Sequence, residues 1–151
     1  MPMWKIYAPE GAYTKEQKKA FSDSITQIYV DFADLPRFYV VVVFHEQPLD
    51  TIWVGGEPAN DFIRITIDHI ARKMPNLPDF QEMTMAAFEE ALAPHVKDRG
   101  FRWEFHVDET PIELWRVNGL KPPPAESEAE KLWALHNAPL PYESVETVAR
   151  A

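Results

Sequence analysis

The strongest constraint on the fold is that one order of elements occurs twice along the chain. Met3 to Ala8 is apolar and aromatic enough to form a strand, and Pro9-Glu10-Gly11 is a turn signal. Thr14, with Gln17 three residues on, forms a capping box that opens a helix. Phe21, Ile25, Ile28 and Phe32 recur on one helical face, and Leu35-Pro36 ends it. Phe38 to Phe44 is a nearly unbroken run of β-branched and aromatic residues, which predicts a strand buried on both faces. His45 to Asn60 is a connection in which Ile52-Trp53-Val54, before Gly55-Gly56, predicts a small hairpin. Phe62 to Ile67 then alternates as a third main strand. Phe80 to Val96 is predicted as a second helix with Met85, Phe88 and Leu92 inside, Pro94 kinking its last turn and Gly100 as its cap. Phe101 to Val107 is the fourth strand.

The two units also end alike, in Phe44-His45-Glu46-Gln47-Pro48 and in Phe105-His106-Val107-Asp108-Glu109-Thr110-Pro111. The expectation is an α/β fold: two pseudo-repeated β-α-β units in one sheet, with right-handed crossovers that place both helices on one face. The other face then needs cover, and in so small a chain self-association is the economical means. Residues 1–120 are assigned to this domain and 121–151 to a proline-rich C-terminal arm. The arm opens with Lys121-Pro122-Pro123-Pro124, an extended polyproline-like segment. Ser127 to His136 is predicted as a short amphipathic helix carrying Leu132, Trp133 and Leu135. The remainder is expected to lie on a neighbour, with a frayed end.

Charge and composition exclude several functions. The net charge of −9 in 151 residues repels nucleic acid and anionic membranes. No apolar run is long enough to cross a bilayer, and Met1-Pro2-Met3-Trp4-Lys5 lacks the apolar stretch of a signal peptide, so a cytoplasmic protein is expected. There is no Cys, which excludes disulfides, thiolate catalysis and Cys-based zinc sites. The five histidines show no ligand spacing, so no metal is expected. Gly55-Gly56 reads as turn chemistry rather than a phosphate loop.

The chemistry is concentrated at the chain start. Initiator Met is generally removed before a small residue, and Pro qualifies. Pro2 then becomes a secondary amine fixed against the sheet by the strand that follows at once. An α-amino group titrates near neutral pH, and burial or nearby cations lower its pKa. The neutral amine is a general base and the protonated one a general acid.

Pro2, the first β-α-β unit, Phe44-His45-Glu46-Gln47-Pro48 and Ile52-Trp53-Val54-Gly55-Gly56 together resemble the cis-3-chloroacrylic acid dehalogenase group of the tautomerase superfamily, from Pro2 to about Gly119. The resemblance implies a homotrimer of β-α-β-type subunits, an amino-terminal proline catalyst, no cofactor, and small unsaturated or enolic carboxylates as substrates. It implies that Pro2 is catalytic and that Arg72 is one of two arginines holding the substrate carboxylate. The second arginine's position falls on His69, the family's helix histidine on Tyr29 and its active-site tyrosine on His106. Tyr39 falls where the family offers a backbone amide. The water-activating glutamate falls near Val117-Asn118, where there is no base, unless Glu109 or Glu113 takes the role.

Hydrolytic dehalogenation needs that carboxylate, whereas enol–keto tautomerisation needs only a proton shuttle and a cation. The sequence therefore favours a tautomerase acting on a 2-hydroxydienoate or a phenylenolpyruvate-type acid. Pro2 is the base, Tyr29 or His106 a second proton donor, and Arg72, His69 and Tyr39 bind substrate. Trp115-Arg116-Val117-Asn118-Gly119 supplies two more candidates, with Arg116 the substitute for the lost arginine and Asn118 a pocket amide. Two alternatives stay open: a cis-3-haloacrylate dehalogenase or hydratase, and a non-catalytic trimeric scaffold or binding protein with a decayed site.

Overall fold

A computed structural model describes residues 1–143. Strand β1 (Met3–Pro9) leads to helix α1 (Lys15–Ala33) and strand β2 (Val41–Gln47). A small hairpin, β3 (Trp53–Val54) and β4 (Glu57–Pro58), precedes β5 (Phe62–His69), helix α2 (Pro78–Leu92) and β6 (Arg102–Glu109). Helix α3 (Glu128–His136) follows in the arm. The sheet order is β2-β1-β5-β6, with β1–β2 and β5–β6 parallel and β1–β5 antiparallel. Each β-α-β unit thus contributes one parallel pair, and the units join through their first strands. The two-unit α/β architecture expected from the sequence is present.

Both helices cover the same face. From the two central strands, Trp4, Ile6, Ile63, Ile65 and Ile67 are fully buried there, against Phe21 and Ile25 of α1 and Phe88 and Leu92 of α2. Trp4 contacts both helices edge-on, with its ring 6.4 Å from Tyr29 and 5.2 Å from Phe88. Alternation puts Lys5, Tyr7, Arg64, Thr66, Glu104 and His106 on the opposite, open face. Lys5–Asp68 and Arg64–Glu104 ion pairs and a Tyr7–His45 stack run across that face.

Thr14 caps α1 as read from the sequence. Its hydroxyl accepts from Gln17 N at 3.2 Å, and Gln17 Oε1 accepts from Thr14 N at 2.8 Å. Thr14→Ala is expected to cost about 1 kcal/mol, measured as a lower urea midpoint with an unchanged m-value.

Several expectations need correction. Phe32 is not in the core: it is 76% exposed, and Tyr29 takes the buried place one turn earlier. The strand expected from Phe38 begins at Val41, after a 3₁₀ turn at Arg37–Tyr39. It lies at the sheet edge and is half-buried rather than buried on both faces. Helix α2 starts on Pro78, whose missing N–H costs nothing in the first turn, and ends at Leu92, where Pro94 converts its continuation to 3₁₀ geometry. After β6, Ile112–Leu114 forms a 3₁₀ turn following Pro111.

The arm folds back on its own domain over its described length. Trp133 is fully buried, 6.0 Å from Phe38 and 6.2 Å from Tyr39, and its Nε1 donates to Leu140 O at 2.7 Å. Leu132 and Leu135 stay exposed. Residues 144–151, where a frayed end was expected, lie outside the described residues.

Candidate active site

The antiparallel register pairs Met3 with Asp68. Continued by one residue, it sets Pro2 opposite His69, both on the helix-covered face. Pro2 is fully buried, and its carbonyl accepts from Val41 N at 2.9 Å. Met1 packs partly buried against the core beside it. Burial pushes the Met1 amine down to about 4, so this end of β1 strongly disfavours a positive charge on an N-terminal nitrogen.

His69 is buried, with Nδ1 unpaired among the described residues. Burial holds its pKa below the ordinary value, against the raising influence of Glu109 and the Arg72 backbone. The imidazole is therefore neutral at pH 7. An orphaned buried nitrogen costs about 1–3 kcal/mol, and such groups mark places where a ligand or water belongs. The Tyr29 ring lies 6.0 Å from that of His69, and Tyr29 Oη accepts from Trp4 Nε1 at 3.0 Å. Burial raises the Tyr29 phenol well above its usual pKa, so it acts only as a neutral hydroxyl.

His69 and Tyr29 border a cleft of about 150 Å³ between α1, α2 and the loop after β5. Ile28, Phe32, Phe80, Met83 and Phe88 form its apolar wall, and Tyr29, His69, Arg72 and Lys73 its polar edge. A second cleft adjoins it across Arg72 and Lys73, lined by Glu109, Thr110, Ile112 and Glu113.

Arg72 stands where a substrate-binding cation was expected, but it is occupied. Its two η nitrogens donate to the two carboxylate oxygens of Glu130 at 3.0 and 2.9 Å, and also to Ala71 O and Ala33 O, each at 3.1 Å. Glu130 comes from α3 and is 97% buried, since only 3% of it is exposed. Glu130 and Arg72 both lie near Tyr39, whose buried hydroxyl has no hydrogen-bond partner among the described residues. The Tyr39 amide is also committed, donating to Pro36 O at 2.9 Å.

Within one chain, Pro2, His69, Tyr29, Arg72 and Tyr39 are brought to one end of the sheet, and three candidates are not. His106 lies on the open face, 3.2 Å from Asp108, with Arg64 on its other side. Arg116 is exposed and donates to Glu113 O and Trp115 O of its own loop. Asn118 sits in a tight turn with φ of +49° closed by Val117 and Leu120. Sequence reading missed Glu130, Lys73 and the apolar wall. A partner 58 residues from Arg72 leaves no local signal, although a lone Glu on an otherwise apolar helix face was one available hint.

A family described as "Putative oxalocrotonate tautomerase enzyme", Tautomerase_3, matches residues 1–138. The chain belongs to this family. This tautomerase-family chain is 52% identical to RhCC from Rhodococcus jostii RHA1, over 93% of this chain and 99% of that one, with a TM-score of 0.90. It is 40% identical to a protein of the thermophilic fungus Aspergillus fumigatus described as a probable enzyme, over 94% and 98% of the two chains, with a TM-score of 0.87. N1, of the cis-3-chloroacrylic acid dehalogenase family, shares the fold at 19% identity and a TM-score of 0.69 over 99% of both chains. Comparison with curated proteins finds no match.

Two histidines make the stability of the tautomerase-family fold pH-dependent. Burial lowers the pKa of His69 and also of His95, where the Arg99 charge adds to the shift. The unfolded chain takes up these protons near pH 6.5 while the native state resists them. The unfolded state then binds more protons, so this contribution to stability falls as pH drops below about 6.5. His95→Gln should flatten the slope of urea midpoint against pH between 7.5 and 5.5. An unchanged slope would contradict this assignment.

Proposed function

We propose that the chain is a cofactor-free enol–keto tautomerase of small unsaturated or enolic carboxylates, with Pro2 as its base after Met1 is removed. The observation that carries this reading is the burial of Pro2 opposite a neutral His69 at the edge of the apolar cleft. Loss of Met1 would turn the prolyl amide into an amine. The burial that depresses the Met1 amine would keep the prolyl amine neutral near pH 7. The amine nitrogen takes the proton of the enol hydroxyl, the O–H electron pair closes the ketone, and the protonated amine returns the proton to C3. His69 can bond the substrate oxygen through its neutral imidazole, and Tyr29 completes the wall.

The same reading includes a homotrimer. Val41, Val43, Met3 and Tyr7 lie half-buried on the open sheet face, a surface that neighbouring copies would cover. His106, on that face, would then act at another subunit's cleft.

The test is loss of enol absorbance with phenylenolpyruvate and with 2-hydroxymuconate, on protein shown by mass to lack Met1. Turnover above the buffer rate supports the reading, and none on either acid removes it. One observation favours a haloacrylate dehalogenase or hydratase as the second reading: Glu109 and Glu113 line the cleft beside Lys73, where a carboxylate could activate water. Chloride release from cis-3-chloroacrylate, lost in Glu109→Gln or Glu113→Gln, would support that reading instead.

A further inference from the structure

We propose that the cleft takes monocarboxylic acids with an aromatic or apolar tail and discriminates against dicarboxylic acids, because Glu130 of the arm occupies Arg72 and leaves Lys73 as the free cation at the cleft among the described residues. This specifies the substrate of the site to which the tautomerase reading assigns turnover, and it rests on that reading.

The cations come first. A guanidinium has five N–H donors, four of them on the η nitrogens. All four are committed in Arg72, two to Glu130 and two to backbone carbonyls. Glu130 is held in turn by Glu126 N, which donates to its Oε2 at 2.7 Å, and by a helix anchored through fully buried Trp133. Glu130 is buried and Arg72 is partly so, and the pair is neutral as a unit, so Arg72 offers no net charge to a ligand. Lys73 differs. It is exposed, borders both the apolar cleft and the adjoining one, and has no ion-pair or hydrogen-bond partner among the described residues. A four-carbon stem lets its ammonium reach either mouth.

The cleft decides the rest of the ligand. A cavity of this size, about 150 Å³, with an aliphatic and aromatic lining accommodates one benzene ring. Phe32, Phe80 and Met83 remain 76%, 38% and 58% exposed around it, apolar surface that a ligand tail would cover. A second carboxylate placed there would lose its hydration with no unpaired cation beyond Lys73 among the described residues to receive it, a costly transfer. The chain's net charge of −9 adds a general repulsion against dianions.

The experiment uses ligands that cannot turn over, so binding is read apart from catalysis. 3-Phenylpropanoate and adipate are titrated calorimetrically into full-length protein lacking Met1, into Lys73→Ala and into Glu130→Gln. The unsubstituted protein should bind 3-phenylpropanoate about 10-fold or more tighter than adipate, the effect of one charge left without a partner. Lys73→Ala, at an exposed side chain, should weaken 3-phenylpropanoate by about 10-fold. Glu130→Gln should release Arg72 and improve adipate binding relative to 3-phenylpropanoate. Should Glu130→Gln fail to fold, the other two comparisons carry the test. Equal binding of the two acids, no effect of Lys73→Ala, or no binding of 3-phenylpropanoate would overturn the proposal. If this pattern fails while Pro2-dependent turnover persists, only the specificity claim falls. If the pattern holds without turnover, the tautomerase reading falls instead.

Discussion

Pro2→Ala, in protein that has lost Met1, should reduce kcat/KM for enol ketonisation by about 10²–10⁴-fold, the range supplied by one positioned general base. The variant keeps a primary amine at the same chain end, so residual turnover is expected rather than none. The fold should be unaffected, since β1 pairs on both sides from Met3 onward and those ladders do not involve the proline nitrogen. Far-ultraviolet dichroism and the urea midpoint check that the loss is chemical. A second form, in which Met1 is retained, should be inactive for the same reason, because an amide nitrogen has no basic lone pair. Activity equal to that of the processed protein in either form would remove Pro2 from the mechanism.

Trp133→Ala should destabilise the chain by about 3–5 kcal/mol, the usual loss for a fully buried large aromatic. Its indole fills the space between Phe38, Tyr39 and Tyr142, and its N–H is the donor to Leu140 O. Removing it leaves both a cavity and an unpaired carbonyl. For a chain of this length the midpoint of thermal unfolding should fall by about 10 °C. The loss also frees α3, and with it Glu130, so the variant should show whether the arm holds Arg72 in place. A shift of 1–2 °C would mean that the arm contributes little to the folded core.

The fold was legible because its determinants are local. The Thr14–Gln17 box and the alternation of Phe62 to Ile67 each act within a few residues and appear where the pattern puts them, whereas Gly100, read as the cap of the second helix, instead closes the separate 3₁₀ turn Lys97–Arg99. The misplaced details have a common origin in tertiary context. Periodicity cannot tell that Tyr29 rather than Phe32 is buried on α1, nor that Phe38 to Phe44 lies at an edge and starts with a 3₁₀ turn. The site was legible only in part. Pro2, His69, Tyr29, Arg72 and Tyr39 meet because strand register and helix packing bring them together. The Arg72–Glu130 pair joins segments far apart in sequence, and no motif announces it. His106 shows the limit of alternation: it faces away from Phe105 as read, but that direction is the open face and not the cleft.

The most direct test of the account is the pH dependence of kcat/KM for phenylenolpyruvate ketonisation by protein lacking Met1. The account predicts a rate that rises with a group titrating well below the ordinary α-amino value of about 7.7–8.0, an inflection that disappears in Pro2→Ala. A rate equal to that of buffer at every pH, or the same inflection persisting in Pro2→Ala, would contradict it.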